Sequence, residues 1–185
     1  MPKFTERFDS YVCDGDSISC SVDGFDVVAQ IVHDEDATPP WDRGDGHGPV
    51  SDWTRRAKKP GERTLCEDCG SRRYYDVQEA ARLARRDGWD TLPFNEGTAG
   101  ERAARAVDAD YNALRLWCAG EWWYIGVVVR VFRDDVELGG ASLWGIDCNH
   151  PNGDNSYLGV IADELLSEAV EEAHATLERL CCIAD

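Results

Sequence analysis

Polar and apolar residues alternate through "SISCSV", with Ile18, Cys20 and Val22 on one side. A period of two marks a strand with one buried face. Asp23-Gly24, a dipeptide suited to a two-residue hairpin turn, follows, and the stretch from Phe25 to His33 resumes the strand pattern. Residues 17–33 therefore predict a β-hairpin. A second hairpin is richer in apolar side chains. In "EWWYIGVVVRVF", Ile125, Val127, Val129 and Val131 share one face, and Trp122, Tyr124, Val128 and Phe132 share the other. A strand apolar on both faces belongs in the interior of a sheet that is covered, at least in part, on both sides. "RDD" then turns the chain into a strand from Val136 to Ile146, in which Gly139-Gly140 suggests a bulge.

Helical periodicity marks three further segments. Asp76 is a candidate N-cap with Glu79 three residues on, and Gly88 ends the predicted helix "VQEAARLARRD". Thr98 and Glu101 form the pattern of a capping box ahead of "RAARAVDADYNALRLWCAG". There Ala103, Val107, Tyr111, Leu114 and Cys118 trace a helical stripe that Gly120 closes. A long helix is predicted from Tyr157 to about Leu180, with Ile161, Leu165, Ala169, Ala173, Leu177 and Leu180 inward. Residues 34 to about 75 lack a period and are rich in Pro, Gly, Asp and Arg. Such a long connection is usually functional or disordered; Trp41, Trp53 and Tyr74-Tyr75 argue that this one is ordered. The order of elements predicts a single α+β domain over residues 1–185. It would be an antiparallel sheet of about four strands, in two hairpins, with about three packed helices and a long ordered loop at about 34–75.

Charge changes this picture more than composition does. The formal net charge is −17, and it is uneven: residues 1–50 carry −8, residues 51–118 carry +1, and residues 119–185 carry −10. An acidic surface repels nucleic acid and membrane headgroups and attracts basic proteins. No apolar run approaches the length of a membrane span, and "MPKFTERFDS" lacks the apolar core of an export signal, so a cytoplasmic location is expected. In that setting eight cysteines are expected to serve mostly as small buried hydrophobes.

Four constellations carry candidate chemistry. Glu164, Glu168, Glu171 and Glu172, with Asp163 beside them, recur at helical spacing, and Asp134-Asp135 adds two acids at the hairpin turn. Carboxylates one helical turn apart lie about 5–6 Å from each other, close to the spacing of phosphates along a strand. These seven residues are the candidate partner-binding set; a merely solvated helix face is the alternative. The loop "TPPWDRGDGHGPVSDW" and the basic island after it offer Asp42, Asp45, His47, Asp52, Arg55 and Arg56 as an alternative ligand site. Asp and His could serve as base and orienter or hold a metal, while Arg holds phosphate. The competing reading is a rigid docked loop whose arginines pair with the protein's own acids. Cys66-x-x-Cys69 resembles half a zinc knuckle, but no second half of standard spacing follows, so no metal is assigned. Walker, dinucleotide-binding, GxSxG and HExxH motifs are absent, so no catalytic residue is assigned and no cofactor is expected.

The stretches "TPPWDRGDGHGPVSDW", "PGERTL", "RRDGWD", "EWWYIGVVV", "ASLWGID", "DNSYL" and "IADELL" together resemble a family of small acidic bacteriophage and prophage proteins, over about residues 16 to 180. The resemblance implies a phage accessory protein, of the kind that inhibits a host nucleic-acid-targeting defence complex such as CRISPR or restriction machinery. It further implies a basic host protein or nucleoprotein complex as partner, in the host cytoplasm, without direct binding to nucleic acid or membrane. In that family the position of Cys66-x-x-Cys69 is not reliably cysteine-bearing, and no catalytic residue is carried over. A binding protein is thus favoured over an enzyme.

Overall fold

A computed structural model describes residues 2–44, 46–89, 97–151 and 153–183, with residues 182 and 183 by backbone alone. The protein is α+β: among the described residues there are three α-helices, a four-stranded antiparallel sheet and a separate two-stranded sheet. The chain forms two compact units, Met1–Ala37 with Trp122–Asp185, and Thr38–Glu121.

The first unit, the sheet unit, holds the two predicted hairpins. β1 (Ser17–Val22) and β2 (Phe25–His33) join β5 (Trp123–Arg133) and β6 (Val136–Cys148) in the order β1-β2-β5-β6. The doubly apolar strand β5 is interior, as its pattern requires. Ile125, Val127, Val129 and Val131 are fully buried, while Val128 and Phe132 on the other face are half-buried. Both hairpin turns place two residues at positive φ: Asp23 and Gly24 at 53° and 81°, Asp134 and Asp135 at 51° and 63°. That geometry matches the right-handed strand twist.

α3 (Ser156–Ile183) packs on β5 and β6. Leu165, Ala169 and Ala173 are buried as predicted, but Leu180 is exposed, and Leu158, Ala162, Leu166 and Val170 are also buried. The inward stripe is therefore wider than the predicted one, and it ends near Leu177. Gly139 sets the distance of closest approach. A Cβ there would lie 2.6 Å from both the Ala169 carbonyl oxygen and the Ala173 nitrogen. The register of β5 against β6 shifts beside it, between Val131 and Phe132, which is the predicted bulge.

The N-terminal segment completes this core through buried Phe4 and Val12. Asn155, 3% exposed, donates from its side chain to the Ser10 carbonyl and to the Asn149 side-chain oxygen. Asn149 in turn holds both backbone groups of Val12.

The second unit, the hairpin unit, departs from expectation. The supposed loop 34–75 contains a hairpin, β3 (Glu62–Asp68) and β4 (Ser71–Asp76). α1 (Val77–Asp87) and α2 (Ala99–Cys118) pack on β3. Period two fails to announce the hairpin for three reasons. A register shift interrupts β3 at Thr64/Cys66. Leu65 is the sole buried residue of β3. And the neighbours Tyr74 and Tyr75 are both buried, so β4 is covered on both faces. Its turn, Cys69-Gly70, again has φ positive at both positions (47° and 77°), with a cysteine where Asn or Asp is usual. The caps are as predicted. The Asp76 side chain accepts from the Glu79 amide, and Thr98 and Glu101 close a capping box. No helix among the described residues is long and apolar enough to cross a membrane.

Candidate functional site

Charge follows the division into units. The sheet unit carries twenty-one acids and five bases, net −16; the hairpin unit carries fifteen acids and fourteen bases, net −1. Nearly all the surplus negative charge is therefore on the unit built around the four-stranded sheet.

The seven predicted partner-binding acids all lie in that unit, but they do different things. Glu164, Glu168 and Glu171 are exposed along α3. Asp134 and Asp135 form the exposed β5–β6 turn. Glu172 folds back, accepting from the Gly140 amide at 2.7 Å. Asp163 is used internally: it accepts from the Phe4 amide at 2.9 Å and pairs with Arg7 at 3.0 Å, which fastens the N-terminal segment to α3. The free row is thus narrower than the sequence pattern, with Glu164, Glu168 and Glu171 at its centre.

A second acidic feature went unread in the sequence. Asp14, Asp34, Glu35 and Asp36 line a cleft of about 550 Å³ with His33 and Trp144. Asp14 is held by the His33 amide at 2.8 Å and Asp34 by the Gly145 amide at 3.1 Å, so these two carboxylates are positioned. Trp144, 48% exposed, lies over Gly126, where any Cβ would meet its ring. Carboxylates beside an exposed indole suit a lysine or arginine side chain. The run "HDED" was the available signal, but only the sheet brings Trp144, over a hundred residues away, beside it.

In the hairpin unit, the alternative ligand set does not assemble as predicted. Asp42, Asp52 and Arg55 are exposed, and Asp45 lies outside the described residues. Arg56 is occupied, bonded to both Glu62 oxygens at 2.7 and 2.6 Å with its guanidinium over the Tyr74 ring. This pairing holds the Glu62 carboxyl down at about 2. Arg63 pairs with Asp108 and Arg72 with Glu67. Arg73 lies between the Trp41 and Trp53 rings, with its guanidinium 5.2 Å from each centroid. Trp41 packs edge-on against Trp117, whereas Trp53 stays 46% exposed. The basic island is therefore bound largely to its own unit.

His47 finds an orienter that the sequence reading missed. Its Nδ1 lies 2.5 Å from Asp110 Oδ1, and the other Asp110 oxygen accepts from the Gly48 amide at 2.8 Å and the Tyr75 hydroxyl at 2.7 Å. Burial, then the Asp110 charge, pushes the Tyr75 hydroxyl far above its usual value, so it stays a donor. Gly48 is required here because a Cβ would come within 2.4 Å of the Tyr75 hydroxyl. Asp110 could have been noticed as an acid on an apolar stripe, three residues after Val107 and four before Leu114. An Asp-oriented imidazole is half of a nucleophile-activating pair, but among the described residues no hydroxyl or thiol is hydrogen-bonded to it. What the cluster does is clamp the 47–54 loop, which runs along β4 through bridges Val50–Tyr75 and Thr54–Arg72. Cys69 sits in the β3–β4 turn, and among the described residues no group of three or more His, Cys, Asp or Glu is gathered in a way that could hold a metal ion.

Comparison with family models, with curated proteins and with solved structures finds no match for this chain.

Proposed function

We propose that the sheet unit is an acidic docking module for a basic protein surface of the kind that holds nucleic acid, and that the protein acts as an inhibitor by occupying that surface. The observation that carries this reading is the segregation of charge, −16 on one unit and −1 on the other. Acids are nearly as dense in one unit as in the other, twenty-one in the sheet unit and fifteen in the hairpin unit; the segregation comes from the bases, five against fourteen, which leaves the carboxylates of the sheet unit largely without cations of their own. Among the described residues Glu164, Glu168 and Glu171 have no ion pair, and their spacing on one helix offers a row of negative charge to a groove lined with lysine and arginine. The resemblance to phage proteins points the same way and makes a host nucleic-acid-targeting defence complex the proposed target, in the host cytoplasm.

Steering by unpaired charge weakens steeply with salt. The test is affinity purification from host lysate at low salt, followed by binding measurements on any nucleic-acid-binding protein recovered. The triple reversal Glu164→Lys, Glu168→Lys and Glu171→Lys should weaken that binding at least about tenfold, since close charge pairs contribute 1.4 kcal/mol or more, while circular dichroism stays unchanged. Recovery of no such partner, or binding indifferent to both salt and the reversal, would remove the proposal.

A further inference from the structure

The cleft of the sheet unit holds a fixed aromatic ring as well as acids. Trp144 of β6 is nearly half-exposed, yet its ring is held at two points. Its Nε1 donates to the Ser142 hydroxyl at 3.1 Å, and the ring lies against Gly126 of β5, where a Cβ would come within 2.5 Å of it. Ile125 and Val127, on either side of that glycine, are fully buried, so β5 cannot shift to make room for a side chain there. The polar tip of the indole is thus satisfied within its own strand, and the rest of the ring lines the cleft of about 550 Å³.

Four carboxylates share this cleft with the ring, those of Asp14, Asp34, Glu35 and Asp36, and among the described residues no Lys or Arg lines it. Asp14 gives Oδ1 to the His33 amide, and Asp34 gives Oδ2 to the Gly145 amide. Among the described residues no donor is hydrogen-bonded to the second oxygen of either, and none of the four acids forms an ion pair. Like charges gathered without a cation repel one another, and a bound cation removes that repulsion. A metal ion is the wrong cation, since among the described residues no three acids or other ligands are gathered closely enough to hold one. A broad, planar cation suits acids spread around a ring. Guanidinium lays its plane on an indole and donates in a fork to a carboxylate, whereas ammonium is a compact point charge.

We propose that this cleft is the binding site for an arginine side chain presented by the protein partner. The guanidinium stacks on the Trp144 ring and donates to the carboxylates of Asp14 and Asp34, while Glu35 and Asp36 add negative charge. The inference rests on the reading of the sheet unit as a docking module and names the side chain that the module takes. The cleft and the free row on α3 then have different tasks. The row attracts any basic surface, because exposed charge is indifferent to shape. The cleft selects, because a fixed ring and two positioned carboxylates accept a planar cation better than any other.

The test titrates the full-length protein with N-acetyl-arginine amide and follows the Trp144 indole and Gly145 amide signals by nuclear magnetic resonance, with Trp144→Phe to assign the indole. Lysine and citrulline counterparts are run beside it; citrulline keeps the shape of arginine without its charge. The arginine compound should shift both signals saturably, and the lysine compound should bind more weakly. The citrulline compound should bind at least about tenfold more weakly, because the charge-assisted hydrogen bonds and the cation–π contact are lost. Asp14→Asn and Asp34→Asn should each weaken arginine binding several-fold. The Glu164, Glu168 and Glu171 reversal should leave it unchanged at about 0.15 M salt, where exposed charges more than about 8 Å apart are screened, since none of the three lines the cleft. No saturable shift, citrulline bound as well as arginine, lysine bound more tightly than arginine, or binding indifferent to both Asp variants would overturn the site. The three compounds on the unaltered protein decide this without any variant, so a variant that failed to fold would not rescue it. None of these outcomes bears on the docking module itself, which is judged by capture from lysate and by the row reversal.

Discussion

In the hairpin unit, fifteen acids meet fourteen bases, and most arginines of the basic island are engaged within it. Arg56 grips Glu62, Arg72 grips Glu67, Arg63 grips Asp108 and Arg73 stacks between indoles. In the sheet unit, twenty-one acids meet five bases, and the exposed carboxylates along α3 and the turns have few cations to meet. The difference follows from the cores. The sheet unit buries a continuous apolar layer of β strands and α3, and that layer can hold a self-repelling surface together. Among the described residues the hairpin unit buries a smaller core cluster, in which four of seven members are Ala or Val, and it relies on rings, clamps and paired charges as well. Where apolar burial is ample, surface charge is free to serve another purpose. Where it is scarce, charge is spent locally.

The largest expected effect tests the sheet unit. Gly139→Val would drive side-chain atoms into the α3 backbone at Ala169 and Ala173, with a loss of about 3 kcal/mol or more expected for such overpacking. Native-state hydrogen exchange should show protection lost in β5, β6 and α3 but kept in α1 and α2; equal loss in both units would break the comparison. The counterpart in the hairpin unit is Asp110→Ala. It strands the Gly48 amide and the Tyr75 hydroxyl, at about 2 kcal/mol for buried groups left unsatisfied. Exchange should now rise along 47–54 and β4 and stay unchanged in β5.

Acid should divide the units next. Five carboxyls of the hairpin unit, Glu62, Glu67, Glu79, Asp87 and Glu101, are held below their usual range, each by a hydrogen bond from a neighbour. In the sheet unit only Asp154 is so held among the described residues. A carboxyl depressed in the fold stabilises it above the unfolded value, and that contribution is lost as pH falls through the folded one. For Glu62 the window runs from 4.5 down to about 2. A pH titration followed by hydrogen exchange should therefore show the hairpin unit weakening first in that range. Earlier loss of the sheet unit would contradict this.

The smallest effect is a gain. Asp135 takes φ of 63° in the second position of its turn, where glycine is unstrained. Asp135→Gly should raise the stability of the sheet unit by about 0.5–1 kcal/mol, read as a higher denaturant midpoint with unchanged slope. A loss would mean that the Asp135 side chain holds the turn.

Much of the fold was legible in the residues. The hairpins at Asp23-Gly24 and Asp134-Asp135, both helix caps and the interior position of β5 all follow from local rules of turn chemistry, capping and period, which act over a few neighbours. The hairpin β3–β4 was not legible, because a register shift, a cysteine in the turn and two adjacent buried tyrosines each erase the alternation that marks a strand. The candidate surface was legible in outline only. The acids of α3 showed their spacing, but nothing local says that Asp163 turns to Arg7 and Phe4, or that Glu172 turns to Gly140.

By itself the sequence determined the class of fold, the caps and turns, and the excess of acid toward the two ends of the chain. Tertiary structure alone decided that those two ends build one unit and thus one concentration of charge. It also decided that His47 answers to Asp110 and that Trp144 joins the "HDED" acids. The reason is range. Period, capping and turn preference are set between residues a few positions apart, whereas each of these pairings joins residues more than fifty positions apart, which no local pattern encodes.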